Sequence, residues 1–174
     1  GLPGLSEMKH VFPDRELLKK KYDYKFSSIV TTKGCPNYCD FCSVPTFQGK
    51  KYRERPFEDV LDEMEATDYK GLMFAEDNFY GHSKNSANRA KDLFRGMIDR
   101  GIKKDWLGFT ALNISKDAEV LDLMAKSGNF GFLCGIESTN EAVLKKMNKT
   151  TNLRIGADKY FESVQKIHDH GLVV

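Results

Sequence analysis

Three of the chain's four cysteines, Cys35, Cys39 and Cys42, fall within one short stretch, Gly-Cys-Pro-Asn-Tyr-Cys-Asp-Phe-Cys-Ser-Val, from Gly34 to Val44. Three residues separate the first pair and two the second. A loop this short can wrap three thiolates around one compact inorganic centre. The spacing does not suit a zinc knuckle, which uses paired Cys-x-x-Cys units. Thiolates in threes, close together, suit an iron–sulfur cluster, and a cubane of four irons on three thiolates keeps one iron open. An open metal position is a catalytic feature rather than a structural one. Upstream, Phe26-Ser-Ser-Ile-Val-Thr-Thr reads as a strand. The cysteine loop therefore leaves the C-terminal end of a first strand, where parallel-sheet proteins place their sites.

The rest of the chain alternates between two periodicities. Pro56 opens a helix whose first turn carries Glu58 and Asp59, with Phe57, Val60, Leu61 and Met64 on one face. Gly71 to Asn78 is the second strand. Ser86 is placed to cap the next helix, with Leu93, Phe94 and Met97 on its buried side and Gly101 at its end. Trp106 to Ile114 is the third strand, Ser115 caps a helix carrying Val120, Leu121 and Met124, and Phe130 to Ile136 is the fourth strand. Ser138-Thr-Asn-Glu141 has the capping-box pattern. A longer helix follows from about Asn152 to His170, and Leu172 begins a fifth strand. Four strand–helix alternations predict an α/β fold with a parallel sheet and right-handed crossovers. The pattern alone does not separate a closed barrel from an open sheet.

Cys35-x-x-x-Cys39-x-x-Cys42, with Phe41 before the last cysteine, resembles the signature of radical S-adenosylmethionine enzymes. The flanking Thr31-Thr32-Lys33-Gly34, Ser43-Val44-Pro45 and Gly49-Lys50-Lys51-Tyr52-Arg53-Glu54-Arg55 look like the cobalamin-associated branch. Glu76-Asp77-Asn78 and Gly135-Ile136-Glu137-Ser138, at strand ends, strengthen the likeness. The resemblance implies a partial, splayed TIM-like barrel of parallel strands with outer helices, truncated at the fifth strand. It implies a radical S-adenosylmethionine core over residues 26–174, behind an arm or linker over residues 1–25. It further implies a [4Fe-4S] cluster on Cys35, Cys39 and Cys42 that reductively cleaves S-adenosylmethionine to a 5′-deoxyadenosyl radical. Cobalamin, where the branch uses it for methyl transfer, would sit in a domain absent from this chain. The electron would come from a donor such as flavodoxin or ferredoxin, and the substrate would be a small molecule. Two other readings stay open: a radical enzyme that methylthiolates RNA, and a non-catalytic zinc-binding domain.

Composition bounds these readings. The 174 residues suffice for one domain with a real core, and 40% hydrophobic with 30% charged is ordinary for a globular protein. A formal net charge of +2 argues against nucleic acid as a partner, and the apolar run near Phe130 to Ile136 is far short of a membrane span. No basic region followed by an apolar run marks a signal peptide, and clustered cysteines do not read as a disulfide framework, so the expected setting is the cytoplasm. The ends, Gly1-Leu2-Pro3-Gly4 and Gly171-Leu172-Val173-Val174, read as those of a piece of a longer protein.

The remaining candidates are positional. Glu76, Asp77 and Asn78 abruptly end an apolar run, Asn113 ends the third strand and Glu137 the fourth, so all lie at one rim. Many members of the superfamily carry Gly-Gly-Glu where this chain has Glu76-Asp77-Asn78. The resemblance puts the cofactor's ammonium there, its adenine near Phe41, and its ribose or methionine end near Glu137, with Ser138 beside it as a cofactor contact or only a helix cap. Strand alternation predicts that Cys134 shares the apolar face of Phe130 and Phe132, away from the site. Lys50, Lys51, Arg53 and Arg55 read as a solvated basic loop or as an anion or nucleic-acid contact. No ligand role is expected for His10, His82, His168 or His170.

Overall fold

The structure, a computed structural model, describes residues 12–174; residues 1–11 of the expected N-terminal arm, His10 included, lie outside the described residues. In chain order the elements are α1 (Glu16–Lys21), β1 (Phe26–Ile29), β2 (Thr32–Lys33), α2 (Val44–Phe47), β3 (Arg53–Glu54), α3 (Phe57–Ala66), β4 (Gly71–Phe74) and α4 (Lys84–Asp99). Then come β5 (Asp105–Thr110), a 3-10 helix (Leu112–Lys116), α5 (Ala118–Lys126), β6 (Asn129–Cys134), α6 (Glu141–Lys146), α7 (Thr150–Ile155), a second 3-10 helix (Ala157–Lys159) and α8 (Tyr160–Asp169).

The main sheet runs β1-β4-β5-β6, every pairing parallel. Each strand lies beside its predecessor in the chain, so the order never reverses. That is barrel winding, not the doubly wound order whose reversal makes a switch point. Val173 forms a parallel bridge with Gly131, placing the start of the expected fifth strand beside β6. The C-terminal ends of all the strands consequently open at one mouth.

Several boundaries differ from the sequence reading. The first strand stops at Ile29, and the loop expected to run to Arg55 contains α2 and a small antiparallel ribbon of β2 and β3. The third strand ends at Thr110, which leaves Asn113 inside a 3-10 helix rather than at a strand end. The helix expected from Asn152 to His170 is broken at Gly156, whose φ of +86° ends α7. Caps shift as well. Ser83, not Ser86, caps α4, with Ser86 as the reciprocal partner three residues on. Asp117, not Ser115, caps α5, and Asn140, not Ser138, caps α6. In each case a side chain nearer the true helix start accepts the orphan N–H groups.

The core between sheet and helices is aromatic. Trp106 stacks on Phe74 at 4.3 Å and on Phe94 at 5.0 Å. Phe79, just past the end of β4, turns back under the sheet and meets Phe74, Phe94, Trp106 and Phe132 edge-on. Its N–H donates to the Phe109 carbonyl at 3.0 Å, so the same residue that fills the core fixes the rim. The opposite sheet face is open: Phe26, Phe130, Leu133 and Val173 are exposed.

Phe79 therefore couples core packing to the path of the rim. Phe79→Ala should lower the unfolding free energy by about 3–5 kcal/mol, read from urea denaturation. A loss under about 1 kcal/mol would mean the ring is dispensable to the core.

Candidate functional site

A cavity of about 800 Å³ lies at the mouth of the sheet. Cys35, Asn37, Cys39, Phe41 and Cys42 form one wall. Met73, residues 75–78, 109–111 and 132–135, with Glu137, Lys149 and Thr151, form the others.

The cysteine loop is shaped by backbone contacts. Gly34 takes φ +87°, and a Cβ there would strike the carbonyls of Lys51 and Gly49, so only glycine lets the loop leave the β2–β3 ribbon. The Cys35 N–H donates to the Gly49 carbonyl at 3.2 Å, and the Cys42 N–H to the Cys39 carbonyl at 3.0 Å. At its far side the loop is held by the turn after α6: Asp40 N–H donates to the Met147 carbonyl at 3.1 Å, and Asn148 Nδ2 to the Tyr38 carbonyl at 2.8 Å. Asn148 itself sits at φ +52°.

All four cysteines are free thiols. Burial pushes the Cys35 and Cys39 thiols up; Asn37 amides oppose this at Cys35, and the Lys149 charge opposes it at Cys39. Among the described residues no three His, Cys, Asp or Glu side chains close on a single metal ion. Three thiols on one cavity wall suit instead a centre of several irons, whose ligands bind at separate corners. Cys134 packs against the core, as alternation predicts, but it also borders the cavity, which the expectation that it faces away did not allow.

The structure separates the three rim residues after β4. Glu76 is buried, and its carboxylate accepts the Thr31 N–H and the Thr31 hydroxyl, each at 2.7 Å. Asn78 is also engaged: Oδ1 accepts the Gly81 N–H at 3.1 Å and the Thr110 hydroxyl at 2.9 Å, and Nδ2 lies 2.9 Å from His82 Nε2. Asp77 alone of the three is exposed, with its own backbone amide as its partner. Glu137, at φ +64°, pairs with Lys149 Nζ at 2.9 Å, and the same ammonium sits 5.4 Å above the Phe41 ring. Asn113 and Ser138 do not line the cavity. The Asn113 Oδ1 is buried without a partner, and the Ser138 hydroxyl accepts the Asn140 N–H at 3.0 Å.

Three residues of this site were not legible in the sequence: Asn37, His82 and Lys149. His82 Nε2 lies 2.8 Å from Asn37 Nδ2, joining the cysteine loop to the β4 rim. Burial, with Arg154 and Lys149 nearby, holds its imidazole below the ordinary value and so neutral. The basic stretch divides: Lys50 and Lys51 stay exposed, while Tyr52, Arg53 and Arg55 turn inward. Arg55 is buried and pairs with Glu63 at 2.6 Å, the Tyr52 hydroxyl donates to the Asn78 carbonyl at 2.8 Å, and Arg53 donates to the Gln48 carbonyl. The reading of Arg55 as part of a solvated or nucleic-acid-binding loop is thus corrected: its charge neutralises a buried carboxylate.

The family model described as "Radical SAM superfamily" matches residues 29–174. Bacteriochlorophyllide d C-12(1)-methyltransferase of Chlorobaculum tepidum is 33% identical over 161 residues, covering 89% of this chain and 33% of that protein. Cytidylyl-2-hydroxyethylphosphonate methyltransferase of Streptomyces wedmorensis is 34% identical over 157 residues, covering 86% of this chain and 28% of that protein. The chain thus spans about a third of the length of the curated relatives it matches. Among solved structures, the radical S-adenosylmethionine methyltransferase TsrM of Kitasatospora setae matches with a TM-score of 0.73 at 22% identity, over 84% of this chain and 29% of that one. TsrM has been solved with tryptophan and a cofactor analogue, and with cobalamin and a [4Fe-4S] cluster. Among the described residues no helix is long and apolar enough to cross a membrane.

Burial holds the Glu76 carboxyl at about 7, above its ordinary 4.5. The folded chain thus keeps a proton there that the unfolded chain gives up. Its contribution to stability is complete below about 4.5 and is lost as pH rises to about 7. Denaturation at several pH values should show wild-type stability falling across that window, with this component absent in Glu76→Gln. Equal slopes for the two proteins would show that Glu76 does not titrate there.

Proposed function

Because the chain belongs to the radical S-adenosylmethionine superfamily, we propose that it is the part of such an enzyme that holds the iron–sulfur cluster and the sulfonium cofactor. One observation carries this reading: three free thiols share a cavity with the rim carboxylates of Asp77 and Glu137, at the C-terminal ends of parallel strands. Cys35, Cys39 and Cys42 would ligate three irons of a [4Fe-4S] cluster and leave the fourth for S-adenosylmethionine. Bound there, the two cofactors supply radical chemistry, an electron cleaving the sulfonium to initiate hydrogen abstraction.

The chain's residues divide the binding. Asp77 has a carboxylate without another side-chain partner, so it suits the cofactor's ammonium through a charge-assisted bond. Glu76 and Asn78 shape the rim through Thr31, Thr110 and Gly81 and have their polar atoms engaged. Glu137 and Lys149 present one carboxylate and one ammonium side by side, able to receive hydroxyls and a carboxylate. Phe41 offers an exposed ring for a base to stack upon. Met73, Phe109 and Leu133 give the cavity an apolar side beside its polar rim.

In the whole protein the reading extends to methyl transfer to a small molecule, with cobalamin as a further cofactor. The names of the methyltransferase relatives and the cobalamin-bound TsrM structure support it. A one-electron donor such as flavodoxin or ferredoxin would serve it. RNA as substrate keeps less support, because Tyr52 and Arg55 of the basic stretch are drawn into the fold and only Lys50 and Lys51 stay exposed.

Anaerobic reconstitution should give a brown protein with about four irons per chain. Alanine at Cys35, Cys39 or Cys42 should abolish the cluster, and Cys134→Ala should retain it; one zinc and no iron would sink the reading. Asp77→Asn should keep the iron and weaken S-adenosylmethionine binding about tenfold, the equivalent of about 1.4 kcal/mol. Unchanged affinity in a titration would move the ammonium away from Asp77.

A further inference from the structure

His82, Asn37 and Asn78 form a polar cluster that the binding roles above leave unused. Asn37 Nδ2 lies 2.8 Å from His82 Nε2 and 3.5 Å from Cys35 Sγ. Asn78 Nδ2 reaches the same His82 nitrogen at 2.9 Å. The orientation of Asn78 is fixed, because its Oδ1 accepts two bonds, from the Gly81 N–H and the Thr110 hydroxyl. Its amide nitrogen must therefore donate to His82, and Nε2 is an acceptor with the ring proton on Nδ1. An accepting Nε2 also sets Asn37 with its nitrogen toward the ring, the two amides sharing the one Nε2 lone pair. An amide nitrogen has two N–H groups. With one on His82, the other is left for the Cys35 sulfur.

We infer that Asn37 donates a hydrogen bond to the Cys35 thiolate and that His82 holds it in that orientation, so that the pair raises the reduction potential of the centre the cysteines hold. A donor on a ligand sulfur draws off charge and favours the reduced, more negative state. Asn37 is two residues from Cys35, but His82 is 45 residues from Asn37 and stands on the β4 side of the cavity. The bond therefore couples the potential of the centre to the rim carrying Asp77. Asn37 acts on the ligand, and His82 is a positioning residue that acts through Asn37. The inference rests on the cluster reading above.

The test is a redox titration of the reconstituted protein, followed by absorption and electron paramagnetic resonance, with iron content measured on every sample. Wild type without iron would overturn the cluster reading itself. Given a full cluster, Asn37→Ala should disfavour reduction about tenfold, a shift of ~59 mV to more negative potential for one electron. His82→Leu should shift it in the same direction, and His82→Gln, whose side-chain oxygen can still accept, should restore much of the wild-type value. The Asn37→Ala, His82→Leu double variant should match Asn37→Ala alone, because His82 has nothing left to orient. An unchanged potential in Asn37→Ala at full iron content would overturn the inference. So would additive shifts in the double variant. Loss of iron in Asn37→Ala would equally overturn it, by making Asn37 a loop-forming residue and not a tuning one.

Discussion

The carboxylate of Glu76 accepts both the N–H and the hydroxyl of Thr31 while fully enclosed by the fold. Thr31 stands where β1 gives way to the ribbon that launches the cysteine loop, and Glu76 stands where β4 gives way to the rim. Arg89 closes the same knot, donating to the carbonyls of Thr31 and Arg55 at 3.1 and 2.7 Å. Arg55 reaches on to Glu63, which also receives Arg15 at 2.5 Å. Removing one partner from such a buried pair leaves an uncompensated charge and costs about 3–5 kcal/mol. The network thus makes the loop's starting point and the rim parts of one rigid unit. A cluster loop that swung freely could not keep its thiols facing Asp77 and Glu137.

Above that base, the loop is gripped from two sides that are remote in sequence. Met147 and Asn148 hold Asp40 and Tyr38 from the turn after α6, and His82 holds Asn37 from the turn after β4. Lys149 then adds a charge beside Phe41, Cys39 and Glu137. At Cys35 and Cys39 the Asn37 amides and the Lys149 charge oppose the burial that raises the thiols, so they lessen but do not cancel the cost of forming the thiolates a metal needs.

The cysteine spacing was legible because three ligands in one short loop leave few chemical alternatives. The parallel sheet was legible because strand and helix periodicities alternate cleanly. Rim positions follow from the point where apolar strands stop, and residues 76–78 and Glu137 do border the cavity. What failed were features set by tertiary contact. Asn113 reads as a rim residue because the apolar pattern of β5 continues past Thr110, where the chain turns into a 3-10 helix. Arg55 looked solvated because a run of charges gives no sign of a buried partner at Glu63. Gly156 lies within an amphipathic stripe that continues across the break it makes, so periodicity alone does not show it. His82 and Lys149 carry no motif at all; only folding brings them to the loop.

Everything above rests on three cysteines holding a cluster with one iron left for the sulfonium cofactor. Mössbauer spectra of the protein reconstituted with iron-57, with and without S-adenosylmethionine, address it most directly. A three-thiolate cubane predicts that one iron in four changes its isomer shift on adding the cofactor while the others keep theirs. Spectra identical with and without the cofactor, at saturating concentration, would contradict the claim, as would a cluster in which every iron already has a thiolate.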